Sequence, residues 1–376
     1  MTTTSTATST TTAPAGPADP TEQLERSRAE AQRRSALLEQ QVHSAPGRLR
    51  LLTGDRPTGP LHLGHLFGSL RNRVRLQDAG VPTTIVIADY QVITDREPGG
   101  RERIAATAAH VRELVCDQLA AGVDPDRSTF FVHSAVPELN QLLLPFLSLV
   151  SVAELQRNPT VKEEAAAAGI RSLSGLLLTY PVHQAADILG VRGTVVPVGL
   201  DQLPHLEVAR TLARRFNERY GDTFTPPEAL LSPAPAVLGT DGRKMSKSRG
   251  NAIQLRHTAD ETAAMIRSAR TDSERRISYH PQSRPEVSNL LLMTSLCTGE
   301  EPEVIADRIG DRGAGELKRI TIEAVNEHLA GLRGRRAELA AAGDDVLQVV
   351  RDGNVRVRAV ATEVLERVRE AMGMRY

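Results

Sequence analysis

The 376-residue sequence predicts an α/β domain built on a parallel sheet, followed by an all-helical domain. Two observations lead to this fold class. Short β-branched runs alternate with helical periodicity through the first two thirds of the chain, and after Asn251 only helical patterns remain. An order of strand, helix and strand is typical of right-handed crossovers in a parallel sheet.

The first unit of this kind begins near Arg48. The run "RLRLLTG" predicts a strand that ends at Gly54, an amphipathic helix follows a loop and ends at Gly80, and "TTIVIAD" predicts a buried strand over Thr83–Asp89. The later elements that we predict in the same way are the strands "STFFVHS" and Gly193–Gly199, and helices over Ile104–Leu119, Leu139–Leu155, Leu173–Leu189 and Leu206–Tyr220.

The C-terminal third contains only helical patterns. Helices are predicted over Glu261–Ser268, Ser288–Cys297, Glu316–Leu332 and Val355–Met372. In the last of these helices, one face carries an apolar stripe. Its members are Val357, Val360, Val364, Val368 and Met372. Such a stripe predicts a helix face that packs against the core.

The first 45 residues are expected to form an N-terminal extension. A Thr/Ser/Ala/Pro tract opens the chain and predicts disorder, because it cannot bury enough apolar surface to offset its conformational entropy. The charged segment from Thr21 to His43 predicts a solvated helix. Its cluster of arginines also allows a nucleic-acid-binding arm: Arg26, Arg28, Arg33 and Arg34.

Composition limits the classes of partner and compartment. Lys and Arg total 46 and Asp and Glu total 46, so a nucleic-acid partner would have to be met by a local basic patch. Only two cysteines occur, Cys116 and Cys297, which excludes a disulfide framework and predicts reduced thiols in a cytoplasmic protein. No apolar run of about 18 residues occurs, so we expect no transmembrane helix.

The stretch "TGDRPTGPLHLGHLFGSL", Thr53 to Leu70, predicts a ligand site. Glycines at 54, 59 and 64 would let the backbone approach a ligand, and the helix that starts near His65 directs free N–H groups at the loop, which suits phosphate. The stretch matches neither the dinucleotide fingerprint nor the Walker loop. The ends of three predicted strands should share the edge of the sheet where ligands bind: Gly54, Asp89 and Gly199.

A second stretch, "GRKMSKSRGN", spans Gly242–Asn251 about 180 residues downstream. "HLGH", residues 62–65, resembles the HIGH signature of class I aminoacyl-tRNA synthetases, and residues 244–248 spell their KMSKS signature. Each motif is weak alone, but the pair in this order is specific. Three further runs are similar to bacterial tryptophanyl-tRNA synthetases: "GLLLTYPVHQAADILG", "VVPVGLDQLPHLEVARTLARRFNERYG" and "IRSARTDSERRISYHP".

The resemblance covers the chain from about Leu51 to its C-terminus. It implies a Rossmann-like catalytic domain with a helical dimerisation insertion over residues 46–254, a helical anticodon-binding domain over 255–376, and a homodimer. It also implies activation of L-tryptophan with ATP to the adenylate, release of pyrophosphate, and transfer to tRNA(Trp). Mg²⁺ would arrive with ATP, so no metal site made by the protein is expected.

The resemblance also implies roles for individual residues. The residues expected to bind ATP are Arg56, Pro57, Thr58, Gly64, His65, Gly199, Leu200, Asp201, Val237, Lys244, Met245, Ser246, Lys247 and Ser248. The residues expected to act in catalysis are His62, His65, Lys244, Lys247 and Ser248. Lys244 and Lys247 would stabilise charge on the leaving pyrophosphate, and Asp201 would accept a hydrogen bond from a ribose hydroxyl.

The expected tryptophan pocket is made of five residues: Gln91, Tyr180, Gln184, Asp187 and Gln202. By resemblance Asp187 accepts the indole N–H, because a buried indole needs one acceptor among apolar walls. Tyr180 and Gln202 would bind the α-amino group.

Two positions depart from the common bacterial pattern. Gln184 stands where many tryptophan enzymes have Met, and its spacing from Tyr180 and Asp187 also fits tyrosyl-tRNA synthetases, which is the nearest alternative. Gln91 stands where His is common, which predicts tolerance of the tryptophan analogue indolmycin and leaves open whether the protein is the sole or an auxiliary copy. A catalytically inactive paralogue that serves as a binding or regulatory module is the alternative of another class.

Overall fold

The computed structural model describes residues 20–94, 100–167, 169, 172–199, 203–232, 236–246 and 249–376. A five-stranded parallel sheet forms the centre, in the order β3-β2-β1-β4-β5. The strands are β1 Leu51–Asp55, β2 Thr83–Ile87, β3 Ser128–Val132, β4 Val195–Val198 and β5 Glu228–Leu231. The α/β prediction is therefore confirmed. Within the described ranges, no helix is long and apolar enough to cross a membrane.

Helices cover the sheet and form the C-terminal third. The helices before the last strand are α1 Pro20–Ser44, α2 Leu63–His65, α3 Arg71–Asp78, α4 Gly100–Ala105, α5 Thr107–Ala120, α6 Pro137–Leu147, α7 Val152–Arg157, α8 Pro159–Ala167, α9 Gly175–Gly190 and α10 Leu203–Tyr220. A π-helical segment, Leu66–Leu70, joins α2 to α3. The helices that follow β5 are α11 Ala259–Arg267, α12 Pro285–Thr298, α13 Pro302–Ile309, α14 Gly313–Ala341 and α15 Gln348–Ala371.

The order of the strands determines where a ligand can bind. The chain runs from β1 outward to β2 and β3, and then returns to place β4 on the other side of β1. The sheet therefore has its topological switch point between β1 and β4, and the loops at their carboxyl ends diverge there. The loop after β1 carries the first signature, so this edge of the sheet holds the candidate site.

Three elements are absent from the sequence prediction: β5, α8 and α13. The strand β5 consists of "EALL", which has no β-branched residue and too few positions for an alternating pattern. Its pairing with β4 makes it a strand. Helix α13 has only eight residues, a length at which periodicity is a weak signal.

The prediction that the segment before residue 45 is a solvated helix is wrong for one face of α1. Val42 is 1% exposed and Leu38 is 8% exposed, and both belong to a cluster with Leu230 of β5. The hydroxyl of Ser35 accepts the backbone N–H of Leu231 at 2.9 Å, so it satisfies a donor at the edge of the sheet. The C-terminal half of α1 is thus part of the core.

The last helix returns to the sheet. The apolar stripe of α15 packs as predicted, with Val357, Val364 and Val368 buried in the cluster that contains Phe131 of β3. The side-chain oxygen of Asn354 accepts the backbone N–H of Val132 at 2.9 Å. Helix α15 therefore covers the free edge of β3. The proposed domain boundary at residue 255 stays a prediction, but α15 packs on the α/β part of the chain.

Candidate active site

A cleft of about 1080 Å³ opens at the carboxyl ends of the strands. Most of the residues that the sequence singled out line it, although they come from distant parts of the chain. The predicted site residues in its lining are Arg56, Thr58, His62, His65, Gln91, Gln184, Asp187, Gly199, Lys244, Met245 and Ser246. The structure thus brings both signature loops and the expected amino-acid pocket to one cavity.

The remaining predicted residues have other places. Pro57 and Val237 are buried in the protein, and the buried Tyr180 reaches the cleft through His205, whose Nε2 lies 2.6 Å from the tyrosine hydroxyl. Gly64 lies between the His62 ring and Met245. Five predicted residues lie outside the described part of the chain: Leu200, Asp201, Gln202, Lys247 and Ser248.

The protein's own packing requires glycine at one position of the first signature stretch and favours it at a second. A Cβ on Gly54 would lie 2.3 Å from the Val86 side chain and carbonyl oxygen on β2. A Cβ on Gly64 would lie 3.0 Å from the ring of His62. Access of a ligand to the backbone is therefore not the only reason for glycine at position 54, because a side chain there would separate β1 from β2.

The two signature loops are joined through their backbones. The N–H of Leu63 donates to the carbonyl of Ile253 at 3.0 Å, and the N–H of Leu255 donates to the carbonyl of Leu61 at 2.9 Å. Between these bonds, the rings of His62 and His65 contact each other in a tilted arrangement, with their centroids 3.8 Å apart. The segment after the second signature thus holds the first in register, so the two loops meet at a defined distance.

The side chain of Asn251 holds the second signature loop in place through three hydrogen bonds. Its side chain is buried, and its amide nitrogen donates to Oδ1 of Asp241 at 2.7 Å and to the carbonyl of Lys244 at 3.2 Å. Its amide oxygen accepts the N–H of Ser246 at 2.9 Å. The bond from Asn251 also lowers the pKa of Asp241. Sequence reasoning gave Asn251 no role, because its partners become visible only when the loop is folded.

The cleft also contains a buried carboxyl group with one oxygen that has no hydrogen bond within the described residues. Asp187 is 2% exposed, and no described residue forms a hydrogen bond with its Oδ1. Nε2 of His133 lies 3.2 Å from that oxygen but outside hydrogen-bonding geometry. Burial raises the pKa of Asp187 well above its usual value, and the Asp89 carboxylate adds to the shift. Oδ1 can therefore accept an N–H group from a ligand.

A cluster of rings packs behind this acceptor, with His133 next to it. His133 and His183 stack with centroids 4.2 Å apart, and Tyr90 meets His133 edge-on at 5.4 Å. Nε2 of His183 lies 2.7 Å from Oδ1 of Asn140, which fixes the orientation of the ring. A single buried acceptor backed by rings suits an aromatic ligand that carries one N–H. Sequence reasoning missed both histidines, although His133 follows directly on β3, where a site residue is expected.

The buried His133 predicts a loss of stability in acid. Burial, with a contribution from His183, lowers the pKa of His133 to about 3 from 6.5. Unfolded chains bind this proton below pH 6.5, whereas the folded chain does not until about pH 3, so the free energy of unfolding should decrease as the pH falls through that window. The slope from one group is at most about 1.4 kcal/mol per pH unit.

Urea unfolding between pH 3 and 7 measures this effect. We expect His133→Gln to make the decline shallower, whereas His43→Gln, at an exposed position, should leave it unchanged. Parallel curves for His133→Gln and the parent protein would contradict the assignment.

A buried arginine supports the carboxyl end of β1. Arg73 of α3 is 3% exposed, and its guanidinium donates to Oδ2 of Asp55 at 2.5 Å, to Oγ1 of Thr53 at 3.1 Å and to the carbonyl of Gly54 at 3.2 Å. These bonds satisfy the charge of Arg73 and fix the start of the first signature loop. The sequence offered one signal for it, a charged residue among the apolar positions of a short helix.

Comparisons with known proteins agree with this geometry. The family described as tRNA synthetases class I (W and Y) matches residues 44–330. Proteins named Tryptophan--tRNA ligase from Treponema pallidum and Clostridium longisporum are 42% and 39% identical to this chain, and each alignment covers 87% of this chain and 97% of the relative.

Solved structures give the same result. Tryptophanyl-tRNA synthetase from Campylobacter jejuni, complexed with ADP and tryptophan, matches with a TM-score of 0.74 and 30% identity over 86% of this chain and 100% of the other. A tyrosyl-tRNA synthetase from Archaeoglobus fulgidus has the same fold at a TM-score of 0.59 and 20% identity, over 77% of this chain and 90% of the other. With both signature loops in one cleft, the chain belongs to the class I tRNA synthetases of the tryptophan and tyrosine group and is a ligase.

Proposed function

We propose that this protein activates L-tryptophan with ATP to tryptophanyl-adenylate, releases pyrophosphate, and transfers the aminoacyl group to tRNA(Trp). The observation that carries the proposal is the buried Oδ1 of Asp187, an acceptor without a hydrogen bond in the cleft that also holds residues of both signature loops. The names of the relatives, and the ADP and tryptophan bound by the Campylobacter jejuni enzyme, support the choice of substrates.

In this proposal the triphosphate of ATP lies between the two signature loops. His62 and His65 offer N–H donors from one side, and Lys244 offers a cation from the other, with Lys247 and Ser248 assigned there by resemblance. The attacking group is the carboxylate of the amino acid, so no protein nucleophile is needed. Positioned cations and donors stabilise the charge that accumulates on phosphorus and on the leaving pyrophosphate in the transition state.

Mg²⁺ is proposed to reach the cleft on ATP. The carboxylate of Asp55, which lines the cleft, is already bonded to Arg73. Phosphate oxygens and water are therefore the ligands that fit the ion here, and these are the ligands it prefers in nucleotide enzymes. When bound, Mg²⁺ would neutralise part of the charge of the triphosphate.

The other substrate contacts are assigned along the same cleft. Arg56, Thr58 and Met245 are proposed to contact ATP, and Gly199 to contact its adenosine. Leu200 and Asp201, outside the described residues, are assigned to the adenosine by resemblance alone. Indole would lie beside Asp187 and Gln184 in the cleft and donate its N–H to Asp187. The hydroxyl of Tyr180 and the amide of Gln202 would bind the α-amino group.

The wider assembly is also proposed from the resemblance. The helices after residue 254 are assigned to the anticodon of tRNA, and two copies of the chain would form a homodimer. Size-exclusion chromatography with light scattering tests the dimer, and charging of tRNA(Trp) transcripts with altered anticodons tests the helical domain.

Exchange of pyrophosphate into ATP, measured with each amino acid in turn, tests the proposed activity. We expect exchange that depends on tryptophan and is far weaker with tyrosine. A preference for tyrosine would reassign the pocket to the tyrosine branch, to which the spacing of Tyr180, Gln184 and Asp187 also belongs. Absence of exchange with any amino acid would favour a binding or regulatory role.

Gln91 supports a further prediction about inhibition. It lines the cleft at a position where the resemblance implies histidine in bacterial tryptophan enzymes. A ligand that relies on such a histidine would be less well paired here, at a cost of about 1–3 kcal/mol. We therefore expect Gln91→His to lower the inhibition constant of indolmycin about tenfold or more. The Michaelis constant for tryptophan should change much less. Equal inhibition of parent and variant would reject the proposal of a tolerant auxiliary enzyme.

A further inference from the structure

A buried carboxylate lies behind the first signature loop. Asp117 of α5 is 0% exposed, and its Oδ2 accepts the backbone N–H of Leu61 at 2.9 Å. Leu61 directly precedes His62. The bond therefore fixes the backbone at the point where the loop turns into helix α2, which carries His65.

The other oxygen of the same carboxylate is bound from the opposite side. Nε of Arg336 donates to Oδ1 of Asp117 at 2.6 Å, and Nη2 of the same guanidinium bonds to Glu113. Arg336 belongs to α14, and 219 residues separate it from Asp117. A helix of the C-terminal third thus holds the carboxylate that holds the loop.

The carboxylate of Asp117 is held in one orientation because each of its two oxygens accepts a hydrogen bond. The neighbours Val115 and Cys116 are buried in the main apolar cluster, so an unpaired carboxylate at this position would be costly. Burial acts to raise the pKa of Asp117, and the bonds from Arg336 and Leu61 oppose that shift. Rotation of the carboxylate would break one of its two bonds, so its orientation transmits the position of Arg336 to Leu61.

We propose that Asp117 and Arg336 are positioning residues that place the first signature loop for the adenylation step. This inference rests on the proposed function. Its effect belongs to the rate of adenylate formation rather than to tryptophan binding, because the acceptor of Asp187 lies in another part of the cleft. Displacement of reacting groups by about 1 Å can cost on the order of a hundredfold in rate.

Two adjacent residues of α14 offer a matched comparison. Arg335 donates twice to the carbonyl of Ala120 on α5, at 3.0 and 2.7 Å, and joins the same two helices without a bond to Asp117. Arg336→Met should slow pre-steady-state adenylate formation about tenfold to a hundredfold, with a nearly unchanged Michaelis constant for tryptophan. Arg335→Met should leave the rate almost unchanged, and Arg336→Lys should recover part of it.

Hydrogen exchange of the full-length chain provides a readout that does not depend on catalysis. The amide of Leu61 should exchange faster in Arg336→Met than in the parent and in Arg335→Met, because only the first variant loosens its acceptor. Equal rate losses in the two methionine variants would overturn the proposal, since they would reflect docking of α14 alone. Unchanged exchange of Leu61 in Arg336→Met would also overturn it. A parent enzyme that activates no amino acid would refute the proposed function, while exchange of Leu61 would still decide whether Arg336 holds the loop.

Discussion

Replacement of Asp187 by alanine is expected to remove most of the preference for tryptophan over phenylalanine while ATP binding stays unchanged. Oδ1 of Asp187 is a buried acceptor in the cleft that has no hydrogen bond within the described residues. A site built to hydrogen-bond a substrate group rejects analogues that lack the group by as much as roughly 10⁴–10⁵, and this rejection disappears with the protein partner. We expect the preference to fall at least about a hundredfold.

The ratio of kcat/KM for tryptophan and phenylalanine in pyrophosphate exchange measures this change. Asp187→Asn is the matched control, because an amide keeps an oxygen that can accept the indole N–H, so more of the preference should survive. The Michaelis constant for ATP should be the same in all three proteins. Unchanged discrimination in Asp187→Ala would place the indole acceptor elsewhere in the cleft.

Gly353→Ala is expected to lower the free energy of unfolding strongly. Gly353 of α15 sits against the backbone of β3, and a Cβ at this position would lie 1.7 Å from the carbonyl oxygen of Phe130. The helix would have to move away from the sheet, which would disturb the packing of Val357 and the bond between Asn354 and Val132. We expect the free energy of unfolding to fall by about 3 kcal/mol, the upper part of the usual range for overpacking.

Gly334→Ala is the matched control for this substitution. Gly334 lies in the exposed surface of α14, and no heavy atom lies within 4 Å of the position that a Cβ would take. Alanine there should stabilise the helix by up to about 1 kcal/mol. Urea unfolding of both variants gives the comparison, and a Gly353→Ala protein as stable as the parent would mean that α15 is not in contact with β3.

Much of the fold follows from local sequence patterns. Strands such as "TTIVIAD" are β-branched and buried, so their pattern is strong, whereas "EALL" becomes a strand only through its pairing with β4. The prediction that α1 is solvated is wrong because this highly charged helix also has a narrow apolar face, which contains Leu38 and Val42. Local composition does not show which face of a charged helix meets a sheet edge.

The candidate site, like the fold, is predictable from the sequence only where local residues carry the signal. The two signature loops are visible in the sequence because each is contiguous and chemically specific. His133, Arg73 and Asp117 were missed because their roles depend on partners that only the fold brings near. Single charged or aromatic residues in a helix or after a strand are common, so their roles can be assigned only from their contacts in the folded protein.

The return of α15 to β3 has a consequence for the order of folding during synthesis. Strand β3 is an edge of the sheet, and the asparagine that caps it lies 222 residues further along the chain. A chain still attached to the ribosome can form β1, β2 and β3 but cannot cover that edge until its last helix has emerged. During this interval the free backbone groups of β3 are open to pairing with other chains, which is the usual route to aggregation at an exposed edge. Emergence of α15 therefore ends the period in which this edge of β3 is open.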